Sequence, residues 1–198
     1  MTAPPSPPAA RAPVSTAERN RNRWLLVVIA LAFFGTALVA GALRFGGWQP
    51  QANRQHGELL SPYADLRARV PRLADGGDYR WDPTARQWRI VVAPPAGCAD
   101  ACVELTRQLD LVWQLTGRHA DRVHLLWIGD WPAAGIRHSE VRVLAPDPAL
   151  RAALPRVDDP AGVPVYVVDP NGFVILRYAP GFDPGHLRAD LARLLKLK

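Results

Sequence analysis

Val91-Val92-Ala93-Pro94-Pro95-Ala96-Gly97-Cys98-Ala99-Asp100-Ala101-Cys102-Val103-Glu104-Leu105 carries both cysteines of a 198-residue chain, four positions apart. The apolar, β-branched run from Trp88 to Ala93 reads as a buried strand, and Pro94-Pro95-Ala96-Gly97 ends it as a turn. A helix from about Cys102 to Thr116 follows, with Leu105, Leu109, Val112 and Trp113 on its inner face, Asp100 or a neighbour as its cap, and Gly117 as its stop. The cysteines thus fall where a strand hands over to a helix N-terminus. Backbone N–H groups and the helix dipole favour a thiolate there, the form that attacks disulfides and binds soft metals. Four residues on a helix span about 6 Å between Cα atoms, within disulfide range. The pair can therefore cycle between dithiol and bridge.

Working outward, Arg122 to Ile128 is a second core strand, and Glu140 to Leu144 a short alternating one before a helix from Pro148 to Leu154. Val163 to Tyr178 reads as two strands around Asp169-Pro170-Asn171-Gly172, a strong hairpin signal. Asp183-Pro184 opens a last helix with Leu187, Leu191, Leu194 and Leu195 as its apolar stripe. Trp81 and Trp88, flanking Asp82-Pro83-Thr84-Ala85, predict another hairpin. Leu59-Leu60-Ser61-Pro62 predicts a short extended piece at the domain edge. The order β-α-β, then β-β-α, with cysteine at the first strand-to-helix junction, predicts an α/β domain of the thioredoxin-like class over residues 76–198.

Before this domain, Trp24 to Leu43 is an uncharged apolar run of 20 residues, about enough to cross a hydrocarbon core of ~30 Å as a helix. Arg11, Arg19, Arg21 and Arg23 precede it and only Arg44 follows closely, so the positive-inside rule puts the N-terminus in the cytoplasm. The domain then lies across the membrane, in the periplasm of a Gram-negative-type cell. A cleaved signal peptide is the rival reading, with Ala40-Gly41-Ala42 as its cleavage site. The length of the apolar run and the flanking Trp24 and Trp48 favour an uncleaved anchor. Residues 1–23 read as a disordered cytoplasmic tail, and 44–75 as linker and domain edge.

The formal charge is +6, with four Arg and one Glu up to Arg23, then twenty basic and seventeen acidic residues. The domain carries no basic stripe and no Lys before Lys196, which argues against nucleic acid as a partner. No Ser-His-Asp set, Gly-rich phosphate loop or paired-carboxylate site is legible.

A single anchor, the Cys98/Cys102 pair, the Val167-to-Gly172 hairpin and the Asn53-to-Leu60 segment together resemble the SCO/SenC branch of thioredoxin-like proteins, over roughly Gly57 to Lys198. That resemblance implies a role in cytochrome c oxidase assembly. Cys98 and Cys102 would exchange disulfides, deliver Cu(I), or both, to a respiratory oxidase subunit or another periplasmic thiol protein from the inner (cytoplasmic) membrane. It also marks a departure. The family's copper-binding histidine comes shortly before the strand leading into the final hairpin, and Arg156 to Pro164 contains no histidine. Val163-Pro164 stands instead where thioredoxins place a cis-proline bordering the substrate groove, which favours electron exchange over metal storage. Two thiolates alone can still hold Cu(I) in linear geometry.

The blander readings run beside these. The cysteines would form a structural disulfide in a non-enzymatic, membrane-anchored interaction module, although so short a loop gains little from closure. His124 reads as a partly buried or edge residue, and His119 and His186 as solvent-facing. His56 and His138 are the histidines that would replace the missing copper ligand. Met1 is the sole methionine, which leaves no thioether site in the domain. Trp113, Trp127 and Trp131 read as core and rim packing, and Asp100 and Glu104 as first-turn residues, with Glu104 as a proton relay in the functional alternative.

Overall fold

The computed structural model describes residues 16–45 and 55–196. The chain divides into two compact units, Met1–Ala52 and Asn53–Lys198. In the first, helix α1 spans Thr16–Phe45. Its stretch Asn20–Leu43 is long and apolar enough to cross a membrane. Leu26, Phe33, Phe34 and Leu38 are all exposed around it. The hydroxyl of Thr36 returns to the carbonyl of Ala32 at 2.9 Å, which satisfies it inside the helix. Residues 16–23, expected to be disordered, are helical. Ala17, Glu18 and Arg19 are good helix formers, and a helix already nucleated by the apolar run propagates through them cheaply. Residues 1–15 of the expected tail, Trp48 and Asn53-Arg54 lie outside the described residues.

The second unit is one six-stranded sheet in the order β1-β6-β5-β2-β3-β4. The strands are β1 Glu58–Asp65, β2 Trp88–Val92, β3 Val123–Ile128, β4 Val141–Leu144, β5 Val165–Val168 and β6 Phe173–Tyr178. Three helices cover it: α2 Asp100–Gln114, α3 Pro148–Ala152 and α4 Pro184–Leu194. β2, β3 and β4 run parallel, while β5, β6 and β1 alternate in direction. Both faces are covered, so β2, β3 and β5 are buried at every position and read as near-continuous apolar runs, interrupted by Arg89 and His124.

Period-two alternation sorts the core. Trp88, Ile90 and Val92 pack on one face with Leu105 and Leu109 of α2 and Leu187 and Leu191 of α4. Val91 and Ala93 pack on the other with Leu126, Leu144, Leu150, Tyr166 and Leu66. The β5–β6 hairpin turns at Asp169 as expected: Asp169 Oδ1 accepts from Phe173 N at 2.8 Å, and Gly172 takes φ +99°. The hairpin expected between Trp81 and Trp88 does not form. The turn at Asp82 is present, with Thr84 N donating to Oδ1 at 2.8 Å, but Trp81 belongs to no strand. Its indole N–H is spent on the carbonyl of Arg69 at 2.7 Å, holding the preceding loop instead.

Several buried polar groups organise the domain. Arg89, fully buried on β2, donates to the carbonyls of Asp169 and Pro170 (3.0 and 2.9 Å) and to the Tyr79 hydroxyl (3.0 Å). That hydroxyl also lies 2.8 Å from Nδ1 of His124, and Glu140 Oε2 is 3.3 Å from His124 Nε2. At the other edge, Asp190 of α4 is 2% exposed, and its Oδ2 accepts from His56 N, Gly57 N and the Tyr178 hydroxyl at 2.7–2.9 Å. Burial works against that carboxylate, yet the Gly57 N–H, Tyr178 hydroxyl and His56 N–H hold it below the usual range.

Gly57 is required by this packing. A Cβ there would stand 2.7 Å from Cζ of the buried Tyr178 ring. We expect Gly57→Ala to cost about 2 kcal/mol in a urea titration, because overpacking a closed site forces neighbours off their minima.

His124 gives the fold a pH dependence. Burial first, then the nearby Arg142 and Arg89 cations, lower its pKa from 6.5 to about 4, against the opposing Glu140. The unfolded chain therefore binds this proton at a higher pH than the folded one. The associated stability is complete above about pH 6.5 and is lost as pH falls towards 4. His124→Gln should remove about 2 kcal/mol of the acid-induced loss between those limits, read from urea midpoints at neutral and acidic pH.

Candidate functional site at the Cys98–Cys102 pair

β2 ends at Val92, and Pro94 to Gly97 leave the sheet before α2 begins, with Gly97 at φ +80° reversing the chain. Cys98 and Cys102 are joined as a disulfide, their Cα atoms 5.4 Å apart. The two sulfurs are unequal. Cys98 is half-buried on the loop, whereas Cys102 is 1% exposed inside the first turn of the helix. α2 starts two residues earlier than expected, at Asp100, and its cap is not Asp100. Ala99 takes the N-cap without a side-chain bond, its carbonyl accepting from Cys102 N (3.1 Å) and Val103 N (3.2 Å). Asp100 adds a carboxylate to that first turn. Glu104 is exposed and engaged with Arg107 and Gln108, away from any relay.

A cavity of about 470 Å³ opens beside the disulfide. Its walls are the loops that follow β2, β3 and β4, the carboxyl ends of the parallel strands where such sheets place their sites. Pro94 and Cys98 come from the first loop, Trp131 and Pro132 from the second, Pro146 and Asp147 from the third, and Arg151 from α3 that follows it. Trp127 is fully buried under the cavity, and its ring meets Trp131 edge-on at 5.0 Å. Trp113 and Trp127 serve as the expected packing. Trp131 is also a wall of the site, a role that Cys98's neighbours in sequence could not disclose.

Pro164 stands elsewhere. Among the described residues the cis peptide bond is Ser61–Pro62, and Val163–Pro164 is trans. The chain reversal before β5 is made by Gly162, at φ +137° and bridged to Asp159, so no cis bond is required of the proline. Val92 pairs with Val165, which sets Pro164 beside the exit of β2. It is buried there and is not among the residues lining the cavity.

The histidines are not brought to the cysteines. His56 stacks on His186 with ring centroids 4.1 Å apart, and His138 stacks on Trp113 at 4.0 Å. His119 lies in a 3-10 turn, and His124 is spent on Tyr79 and Glu140. Among the described residues no group of three His, Cys, Asp or Glu side chains is arranged to hold a metal ion. As donors for a soft cation the site offers the two sulfurs alone, and only once they are reduced.

Sequence reasoning missed Thr106, which accepts from Ile136 N and so ties the Trp131 loop to α2, and weighed His138 only as a copper ligand, whereas it stacks on Trp113. The polar Thr106, buried on a helix, was the available signal.

No curated protein matches the chain. In fold it is similar to yeast Sco1 with copper bound, with TM-score 0.51 and 17% identity over 65% of this chain and 90% of that one. It is likewise similar to BsSco, a member of the Sco family of cytochrome c oxidase assembly proteins, with TM-score 0.52 and 12% identity over 72% of this chain and 98% of that one. At these identities the likeness is one of fold. Residues 88–198, from the first strand of the parallel core to the end of the chain, match one family model. The protein belongs to the family described as transmembrane-like, thioredoxin-like, C-terminal domain.

Proposed function

We propose that this protein is a membrane-anchored thiol–disulfide exchange factor whose working pair is Cys98 and Cys102. Its client is a cysteine pair on a respiratory oxidase subunit or another extracytoplasmic thiol protein. The observation that carries the reading is the asymmetric disulfide beside a cavity that both cysteines line: one sulfur half-buried on the loop, the other buried at a helix N-terminus. The arginines before the anchor favour a cytoplasmic N-terminus, with the domain in the periplasm at the inner membrane.

From the disulfide state, a client thiolate attacks Cys98 Sγ and the Cys98–Cys102 bond breaks. Cys102 leaves as a thiolate that the first turn of α2 stabilises. The client's second thiolate then attacks its own sulfur in the mixed disulfide and releases Cys98. Two electrons and two protons end on the cysteine pair, and the client carries the new disulfide. In reverse, reduced Cys98 attacks a client disulfide, and Cys102 resolves the intermediate by closing on Cys98. This chemistry is that of a thiol–disulfide oxidoreductase.

The trapping experiment follows directly. Full-length reduced Cys102→Ser in detergent, mixed with glutathione disulfide, is expected to carry one glutathione on Cys98 by mass spectrometry. An unmodified Cys98 would refute the assignment of attacking sulfur.

A second reading, Cu(I) as cargo, is favoured by two sulfurs placed to act together and by the fold shared with copper-bound yeast Sco1. Reduced Cys98 and Cys102 would hold the ion linearly. A competition titration of the reduced full-length protein tests it. Tight one-to-one binding lost in both single Ser variants supports copper delivery, and loss to a moderate chelator leaves thiol exchange alone.

A further inference from the structure

The segment between β3 and β4 supplies Trp131 and Pro132 to the cavity, and its far half is fastened to α2. Ile136 N donates to Thr106 Oγ1 at 3.1 Å. The His138 ring lies flat on Trp113, 4.0 Å away and tilted by 10°. Cys102, Thr106 and Asp110 follow one another at four-residue spacing, so this fastening uses the helical stripe that carries the buried sulfur.

The hydrogen bonding of His138 fixes its protonation. Glu140 N donates to Nδ1 at 3.2 Å, so Nδ1 holds a lone pair and the neutral ring carries its proton on Nε2. Nε2 is buried and has no hydrogen-bond partner. A second proton can enter only at Nδ1, where it would face the Glu140 N–H donor to donor. Protonation therefore breaks the one hydrogen bond the ring makes and leaves a cation pressed on Trp113 without an acceptor.

We infer that His138 is a proton-operated latch: neutral, it holds the Trp131 loop on α2, and protonated, it releases the loop and opens the cavity beside the disulfide. The consequence for the cysteines rests on the reading of that cavity as the working face.

The charges around the ring frame the switch. Asp110 faces it from α2, Glu140 and Arg142 from the β4 side, and Asp75 and Arg137 share a neighbouring cavity with it. Burial is the largest influence and lowers the His138 pKa; Asp110 and Glu140 oppose it, and Arg142 adds to it. The folded latch thus resists protonation more than the released loop, so acid favours release.

The test compares full-length protein in detergent with His138→Phe, which keeps a flat ring on Trp113 but cannot titrate, and with His138→Gln. Reduction of the disulfide by a phosphine is timed from about pH 7.5 to about pH 5, and hydrogen exchange is read at Ile136 and Glu140. Taking each quantity as a ratio to His138→Phe cancels the reagent's own pH dependence. We expect both ratios to rise at least about fivefold from the upper to the lower pH, about 1 kcal/mol in all. His138→Gln should track His138→Phe. Exchange ratios that stay flat would overturn the latch. Exchange ratios that rise with flat reduction ratios would uphold the latch and overturn the reading of the cavity as the working face.

Discussion

Cys98→Ser is expected to lower the rate of disulfide exchange with glutathione disulfide by at least about a hundredfold, because a hydroxyl is no nucleophile towards sulfur at neutral pH. Cys102→Ser should leave the first step intact and abolish turnover, accumulating the mixed disulfide on Cys98. The difference follows from position. Cys98 stands half-buried in the cavity wall, while Cys102 is closed under the first turn of α2. Stopped-flow rates for the two reduced variants check it. Equal rates of adduct formation would mean that the buried sulfur is as accessible as the exposed one.

The second large effect concerns the edge of the domain. Asp190→Ala should destabilise the protein by about 3–5 kcal/mol, since it strands two buried donors, Gly57 N and the Tyr178 hydroxyl, and the part-buried His56 N. Asp190→Asn keeps one carbonyl acceptor and should cost about half as much. Burial and the Asp190 carboxylate push the Tyr178 phenol well above its ordinary range, so the hydroxyl stays a donor at every physiological pH. Urea denaturation of the two variants gives the comparison. A loss below about 1 kcal/mol for Asp190→Ala would show that the donors find other acceptors.

Where the sequence pattern concerned backbone and apolar periodicity, it matched the structure closely. Trp88 to Ala93 could only be a strand covered on both faces. The Asp169-Pro170-Asn171-Gly172 turn named its own hairpin, and the leucines of α4 fell on its buried stripe. The cysteine junction was equally legible, because a turn of Pro, Pro and Gly between strand and helix leaves little else possible. What escaped was every contact set by long-range polar partners. Arg89 looks like an exposed charge within an apolar run, and its partners are backbone carbonyls eighty residues away. Pro164 was expected to border the substrate groove as a cis-proline, but its bond is trans, it does not line the cavity, and Gly162 reverses the chain before β5. Trp131 reached the cavity through a loop whose anchorage at Thr106 and His138 has no local signature. Of the two caps left open, Asp100 or a neighbour, the neighbour Ala99 takes the position, and Asp100 falls in the first turn of the helix.

The measurement that bears most directly on the account is the reduction potential of the Cys98–Cys102 disulfide in the full-length protein, by equilibration with glutathione and with dithiol buffers. A working exchange pair is predicted to lie above about −300 mV, where cellular dithiols can turn it over. A value below about −300 mV, with resistance to glutathione, would make the bridge a structural one and contradict the exchange function.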